Sequence, residues 1–308
     1  MIFTNDADYI IFSKNLGKAK ELLDILSDNA YEESEYSICN KRIYNVGGQH
    51  LVASINTLQS VELCCERGHF SDAYALARKY RDDLLQYLFI IETLNSKTDF
   101  ADEDTEKLFD EPIDIEKVFA AVMKFADVFY SGARKNERDR AVDAFLDNSL
   151  AEQEKQKCRR EYFDASKYIF FLKKNKHVSD CFDFFFADVW REMDRTLNNY
   201  VHANGMQYIF SNLPQFSNIE TSKRFDEILK IIMNTTTMFL AILILIEPNY
   251  IMSSDYIDCL ECNIPPVIDS QYWVASGIQE YIDEFVVGID PKLKEYLRDL
   301  NPSGMKIE

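Results

Sequence analysis

Apolar residues recur at steps of three and four along most of this 308-residue chain, and that period constrains the fold more than any single motif. In "FSDAYALARKYRDDLLQYLFIIETLNS", Ala73, Leu76, Ala77, Tyr80, Leu84, Leu88 and Ile91 trace the stripe of an amphipathic helix. Asp114 can cap a further helix whose stripe is Ile115, Val118, Val122, Phe125 and Phe129. "NLGKAKELLDILSD" and "QHLVASINTLQSVELCCERG" predict two earlier helices, and "SQYWVASGIQEYIDEFVVG" and "DPKLKEYLRDL" two late ones. The last opens on Asp290 before Pro291, a helix-start pair. Only 9 glycines and 7 prolines interrupt these patterns, about 5% of the chain where average usage is about 12%. Long helices need few breakers, so the predicted class is all-α, a helical bundle.

One predominantly helical domain is expected over 1–308. Residues 1–48 read as an N-terminal extension with an irregular or short-strand segment at 31–48, 49–250 as the helical core, and 251–308 as C-terminal helices. No repeat period is visible. The longest apolar run, "MFLAILILI" at 238–246, has nine residues. A bilayer crossing needs about 20, so a buried core helix and no membrane contact are expected. The N-terminus lacks a basic segment followed by an apolar one, and seven cysteines follow no framework. Both features predict reduced thiols and a cytoplasmic protein.

Several chemistries find no support. There is no glycine-rich phosphate loop, Ser–His–Asp arrangement or HExxH helix. "CLEC", Cys259 to Cys262, has the spacing of half a zinc site without a second pair. No metal or cofactor is therefore predicted, and Cys64 and Cys65 read as core thiols. Formal net charge is -18, with 52 acidic and 34 basic residues, which disfavours broad nucleic-acid binding. The charge is segregated, however. Residues 99–114 carry eight acids and one lysine, whereas 155–176 carry eight basic residues and two acids, interleaved with Tyr162, Phe163, Tyr168 and Phe171. Basic groups for phosphates and aromatic rings for bases suit single-stranded RNA, although such rings are also ordinary core material and such lysines an ordinary solvated face.

The most informative stretch is "RTLNNYVHANG", Arg195 to Gly205, at the end of an apolar segment in which Phe182, Phe186, Val189, Met193 and Val201 define a core side. Residues seven apart on a helix lie within about 20° of each other, so Arg195 and His202 share a face. Asn198 and Asn199 fall three and four positions from Arg195, and Arg191 extends the strip by a turn. Asn204-Gly205 is a left-handed stop that puts His202 in the last turn. There the helix dipole favours protonated imidazole, and an arginine two turns away can hold a phosphate with its planar fork. The same residues also fit a plainer reading, with the arginine paired to a carboxylate and His202 capping exposed carbonyls.

An arginine followed after a few residues by histidine, late in a helix of an all-α chain, resembles the motif of the HEPN superfamily. Arg195 and His202 match it, and the preceding Arg78 and Asp82 resemble an upstream helix of bacterial relatives; these motifs span 71–205. The resemblance implies a HEPN-like helical bundle with additional flanking helices, soluble and homodimeric. It implies a metal-independent endoribonuclease of a toxin–antitoxin or phage-defence system, with RNA as substrate and a cognate inhibitor or partner protein. By the same resemblance Arg195 and His202 are catalytic, and Arg191, Asn198 and Asn199 bind substrate. Other members of the superfamily are non-catalytic interaction modules, which is the alternative reading.

Overall fold

The computed structural model describes residues 3–39, 48–95, 165–201, 218–262, 264 and 273–308. Its helices are α1 (Ala7–Cys39), α2 (Gln49–Arg67), α3 (Phe70–Asn95), α4 (Ala165–Leu172), α5 (Lys176–Cys181), α6 (Ala187–Val201), α7 (Asn218–Ile246), α8 (Ser254–Glu261), α9 (Ser276–Tyr281), α10 (Val287–Ile289) and α11 (Pro291–Leu300). A π-helical turn at Phe182–Phe186 joins α5 to α6, and another at Ile282–Val286 joins α9 to α10. Among the described residues the extended pairings are two isolated bridges, Met252 with Val274 and Trp273 with Lys306. The chain is all-α, as its periodicity predicts. The acidic stretch 99–114, the helix expected from Asp114 and His202 lie outside the described residues.

Four helices close a core: α1 packs on α2, α2 on α3, α3 on α7 and α7 on α1. The stripe read from α3 is the side it buries, with Ala73, Ala77, Tyr80, Leu84, Leu88 and Ile91 inside and Leu76 half-buried. Phe225 of α7 gathers Phe3, Tyr9, Phe12 and Phe70 at centroid distances of 5.4–5.8 Å, an aromatic cluster from three elements and the N-terminal strand of chain. Deep in the core, the Tyr80 and Thr236 hydroxyls meet at 2.7 Å across α3 and α7. Gly68 ends α2 at φ 75°, where its N–H reaches the Cys64 and Cys65 carbonyls. A Cβ there would come within 3.2 Å of Phe3 as well as straining the backbone.

Two points of the sequence reading concern helix α1 and the run 238–246. Helix α1, which falls in the segment read as an N-terminal extension, is packed into the core. Helix α1 continues through Cys39, and its Phe12, Leu16, Leu22, Leu23 and Leu26 are sealed in the shared core. The buried Asn29 amide donates to the carbonyls of Tyr250 (2.8 Å) and Met252 (2.9 Å), which ties α1 to the turn after α7. The run 238–246 is the last third of the 29-residue α7. Thr221–Ile246 is long and apolar enough to cross a membrane, but 83% of its apolar window is buried within the protein.

A repeat also emerges that no sequence period reveals. The α5–π–α6 unit and the α9–π–α10–α11 unit have the same burial order at an offset of 100 residues. Cys181, Phe182, Phe186, Met193 and Leu197 correspond to Tyr281, Ile282, Val286, Leu293 and Leu297, all buried. The side chains differ at nearly every position, so what recurs is the pattern of burial and the π turn, not identity. The units touch where the Tyr296 hydroxyl donates to the His177 carbonyl at 2.9 Å and its ring meets Phe185 edge-on at 5.7 Å.

His50 offers a test of the α2–α3 packing. Its ring stacks on Tyr87 (5.4 Å, 27°), and its Nε2 lies 2.9 Å from the Asp83 carbonyl. Burial lowers its pKa from the ordinary 6.5, with the Asp83 carbonyl opposing. The unfolded chain therefore takes up a proton first as pH falls. Stability that is full above pH 6.5 is lost as pH drops toward the depressed folded value. Relative to His50→Gln, the urea midpoint of the wild type should fall between pH 7.5 and pH 5.5. A difference that stays constant with pH would rule this out.

Candidate functional site

Helix α6 lies antiparallel to α3. Tyr200 stacks on Tyr74 at 3.7 Å with the rings 4° from parallel, Asn198 meets Arg78, and Asp194 meets Arg81. The apolar side of α6 faces inward through Phe186, Met193 and Leu197. Its flank toward α3 carries the polar groups. There, five side chains form a closed ring. Arg81 Nε and Nη2 both reach Asp82 Oδ1 at 2.9 Å, and its Nη1 donates to Asp194 Oδ1 at 3.1 Å. Asp194 Oδ2 accepts from Asn198 Nδ2 at 2.9 Å, and Asn198 Oδ1 accepts from Arg78 Nη1 at 2.9 Å. Arg78 Nε closes the circuit on Asp82 Oδ2 at 3.6 Å.

Two arginines and two aspartates make the ring electrically neutral. Arg81 is its hub, only 1% exposed, with its guanidinium 4.5 Å from the centre of the Trp190 ring. A buried charge of this kind is tolerable only because each face of the fork is matched by carboxylate or aromatic ring. Burial raises the pKa of Asp82, and the adjoining Arg81 and Arg78 oppose that rise. Below the ring, Tyr74 donates its hydroxyl to Glu227 of α7, and the Arg224 guanidinium sits 5.4 Å from the Phe70 ring centre. Burial and the Glu227 charge raise the Tyr74 pKa, so this hydroxyl stays protonated as a donor.

The residues singled out in the sequence divide between two surfaces. Asn198 belongs to the ring, and both ends of its amide are engaged. Arg191 is exposed and pairs with Asp188 at 2.9 Å. Arg195 is exposed, and among the described residues it has no ion pair or hydrogen bond. Asn199 is half-buried beside it. Arg81, Asp194 and Trp190 also belong to this site, although no motif in the sequence marks them. A signal for Arg81 was present, because it falls on the apolar stripe of α3 between Tyr80 and Leu84, where a charge needs a partner. Cys65 is buried and Cys64 half-buried, and burial raises the pKa of both thiols. Cys259 is half-buried and Cys262 exposed, and no group of three His, Cys, Asp or Glu side chains converges among the described residues.

Fold and site together define an all-α protein in which a neutral polar seam ties one helix to the core and leaves on its outer face an arginine unpaired among the described residues. Comparison with known proteins finds no matching family model, no similar curated protein and no similar solved structure.

Proposed function

We propose that the outer face at the end of α6 is the phosphate site of a metal-independent endoribonuclease of HEPN type. The observation that supports it best is the contrast between Arg195 and its neighbours. Arg78 and Arg81 are spent on Asp82 and Asp194, Arg191 on Asp188, and Lys230 on Glu192 at 3.0 Å. Arg195 alone among these cations keeps its fork free. The ring neutralises the carboxylates next to it, so a phosphate at Arg195 meets little repulsion. It also holds α6 rigidly, which a preorganised anion site requires.

In this reading His202, seven residues on in the sequence and outside the described residues, takes part in the chemistry. A base, His202 or its counterpart in a second copy, takes the proton of an RNA 2'-hydroxyl. The freed oxygen attacks the adjacent phosphorus, and the bond from phosphorus to the 5'-oxygen breaks. A general acid protonates that leaving oxygen, while Arg195 stabilises charge on the non-bridging oxygens. The products are a 2',3'-cyclic phosphate and a 5'-hydroxyl, and DNA, lacking the 2'-hydroxyl, is not cleaved. Arg191, whose pair with Asp188 is solvent-facing and can exchange for an anion, and Asn199 contact the flanking phosphate or ribose, and Asn198 acts through its place in the ring. A cytoplasmic homodimer with two such faces opposed, acting in defence or as a toxin held by an inhibitor, is the biological setting this implies. The test is cleavage of single-stranded RNA by wild type and His202→Ala, with a chelator present.

A second reading is a non-catalytic helical interaction module. It draws on the full engagement of Asn198, which leaves that amide nothing to offer a substrate. The same assay separates the two, since the module cleaves nothing.

A further inference from the structure

We infer that this protein holds its RNA as a single strand, with bases stacked on Phe170 and Phe184 and phosphates on the adjoining lysines. The inference builds on the ribonuclease reading above by naming the form of RNA bound and where it lies. Phe170 of α4 is 73% exposed and Phe184 of the first π turn 76%, the most open large apolar side chains among the described residues. Exposing two whole aromatic rings costs hydrophobic free energy that burial elsewhere in this core recovers. Lys173 links them: it forms an ion pair with Asp183 at 2.6 Å and lies 5.1 Å over the Phe182 ring. Phe170 of α4 is thus three residues before Lys173, which directly follows that helix, and Phe184 adjoins the aspartate that Lys173 grips.

Charge points to the same occupant. Residues 165–177 hold four lysines and no acid in a chain of net charge -18. Lys174 and Lys176 are exposed without an acidic partner among the described residues, and Lys174 lies 4.8 Å over the Phe171 ring. Solvent-facing rings amid unpaired lysines are a platform for bases and phosphates together, which a duplex, with its bases already stacked, cannot use. An acidic peptide would use the lysines but has no planar bases for the rings.

The platform is continuous with the Arg195 face. Exposed positions 184, 188, 191, 192 and 195 recur at steps of three and four, so they form one strip from the first π turn along α6. Its acids are already matched, Asp188 by Arg191 and Glu192 by Lys230. Eleven residues of rise place Phe184 about 16 Å from Arg195 along the axis. A strand stacked on Phe184 and laid along this strip reaches the free guanidinium.

Fluorescence anisotropy with a labelled single-stranded oligouridine, in chelator and at low salt, tests the inference. Phe170→Ala and Phe184→Ala should each weaken binding roughly 5- to 100-fold, as loss of one stacked base does, with the circular-dichroism melt unchanged. Duplex RNA of equal charge should bind the wild type more weakly than the single strand. Lys174→Gln together with Lys176→Gln should lower the salt dependence of binding. Unchanged affinity in both phenylalanine variants, or equal displacement by polyglutamate and oligouridine, overturns the platform. Binding that depends on the two rings without any cleavage keeps the platform and removes the nuclease. Cleavage that is indifferent to the rings does the reverse.

Discussion

His202→Ala should lower single-stranded RNA cleavage by a factor of roughly 10² to 10⁴, the range that a positioned acid or base contributes. Arg195→Ala should lower it by roughly 10² to 10³, as loss of a charge-stabilising donor does. Arg195→Lys should recover only part of this, because an ammonium cannot match the planar fork. Arg195 is exposed and unpaired among the described residues, so its removal should change stability by no more than about 0.5 kcal/mol. The loss then reports on chemistry and not on folding. Product analysis adds an independent readout, since this route leaves 2',3'-cyclic phosphate ends that a metal-activated water would not. Equal rates for wild type and His202→Ala, at matched folding, would dismiss the imidazole from the reaction.

Arg81→Ala should behave in the opposite way, with a large loss of stability. Breaking a buried charged pair costs about 3–5 kcal/mol when the surviving charge stays buried. Here the survivors, Asp82 and Asp194, are 33% and 41% exposed and regain water, which pulls the expectation toward about 3 kcal/mol. Loss of the contact with Trp190 and the void beneath it act in the other direction. Asp194→Asn should cost less, since it keeps the shape and leaves Arg81 paired with Asp82. Urea denaturation of Arg81→Ala, Asp194→Ala and the double variant yields the coupling between them, expected at about 1–3 kcal/mol for groups in one network. A coupling near zero would mean that the ring does not hold α6. Two arginines 114 positions apart in the chain, yet on facing helices, would thus separate stability from activity.

The helical elements were largely legible because their signal is local. Asp290 caps α11 as its sequence suggests, with its carboxylate accepting from the Lys292 N–H at 2.8 Å. The apolar sides of α3 and α6 were read correctly at Tyr80, Leu84, Phe182, Phe186 and Met193. The repeat of two π-turn units was not legible, since it conserves which positions are buried and hardly any residue identity. The extent of α1 was missed for a related reason: 31–39 is too polar to announce itself, and helix continues there in sequence that carries no apolar stripe.

From the sequence alone came the all-α class and the core stripes, because backbone period fixes which residues share a side. Only the tertiary structure decided what each polar residue faces. Asn198 lies about 60° around the helix from Arg195 by helical geometry, and that angle sends one into the α3 seam and the other to solvent. The partners of Asp194 and Asn198 sit 113 and 120 positions away in the chain. No local pattern encodes a contact at that separation. It exists because burying the apolar sides of α3 and α6 against one core brings their polar flanks together.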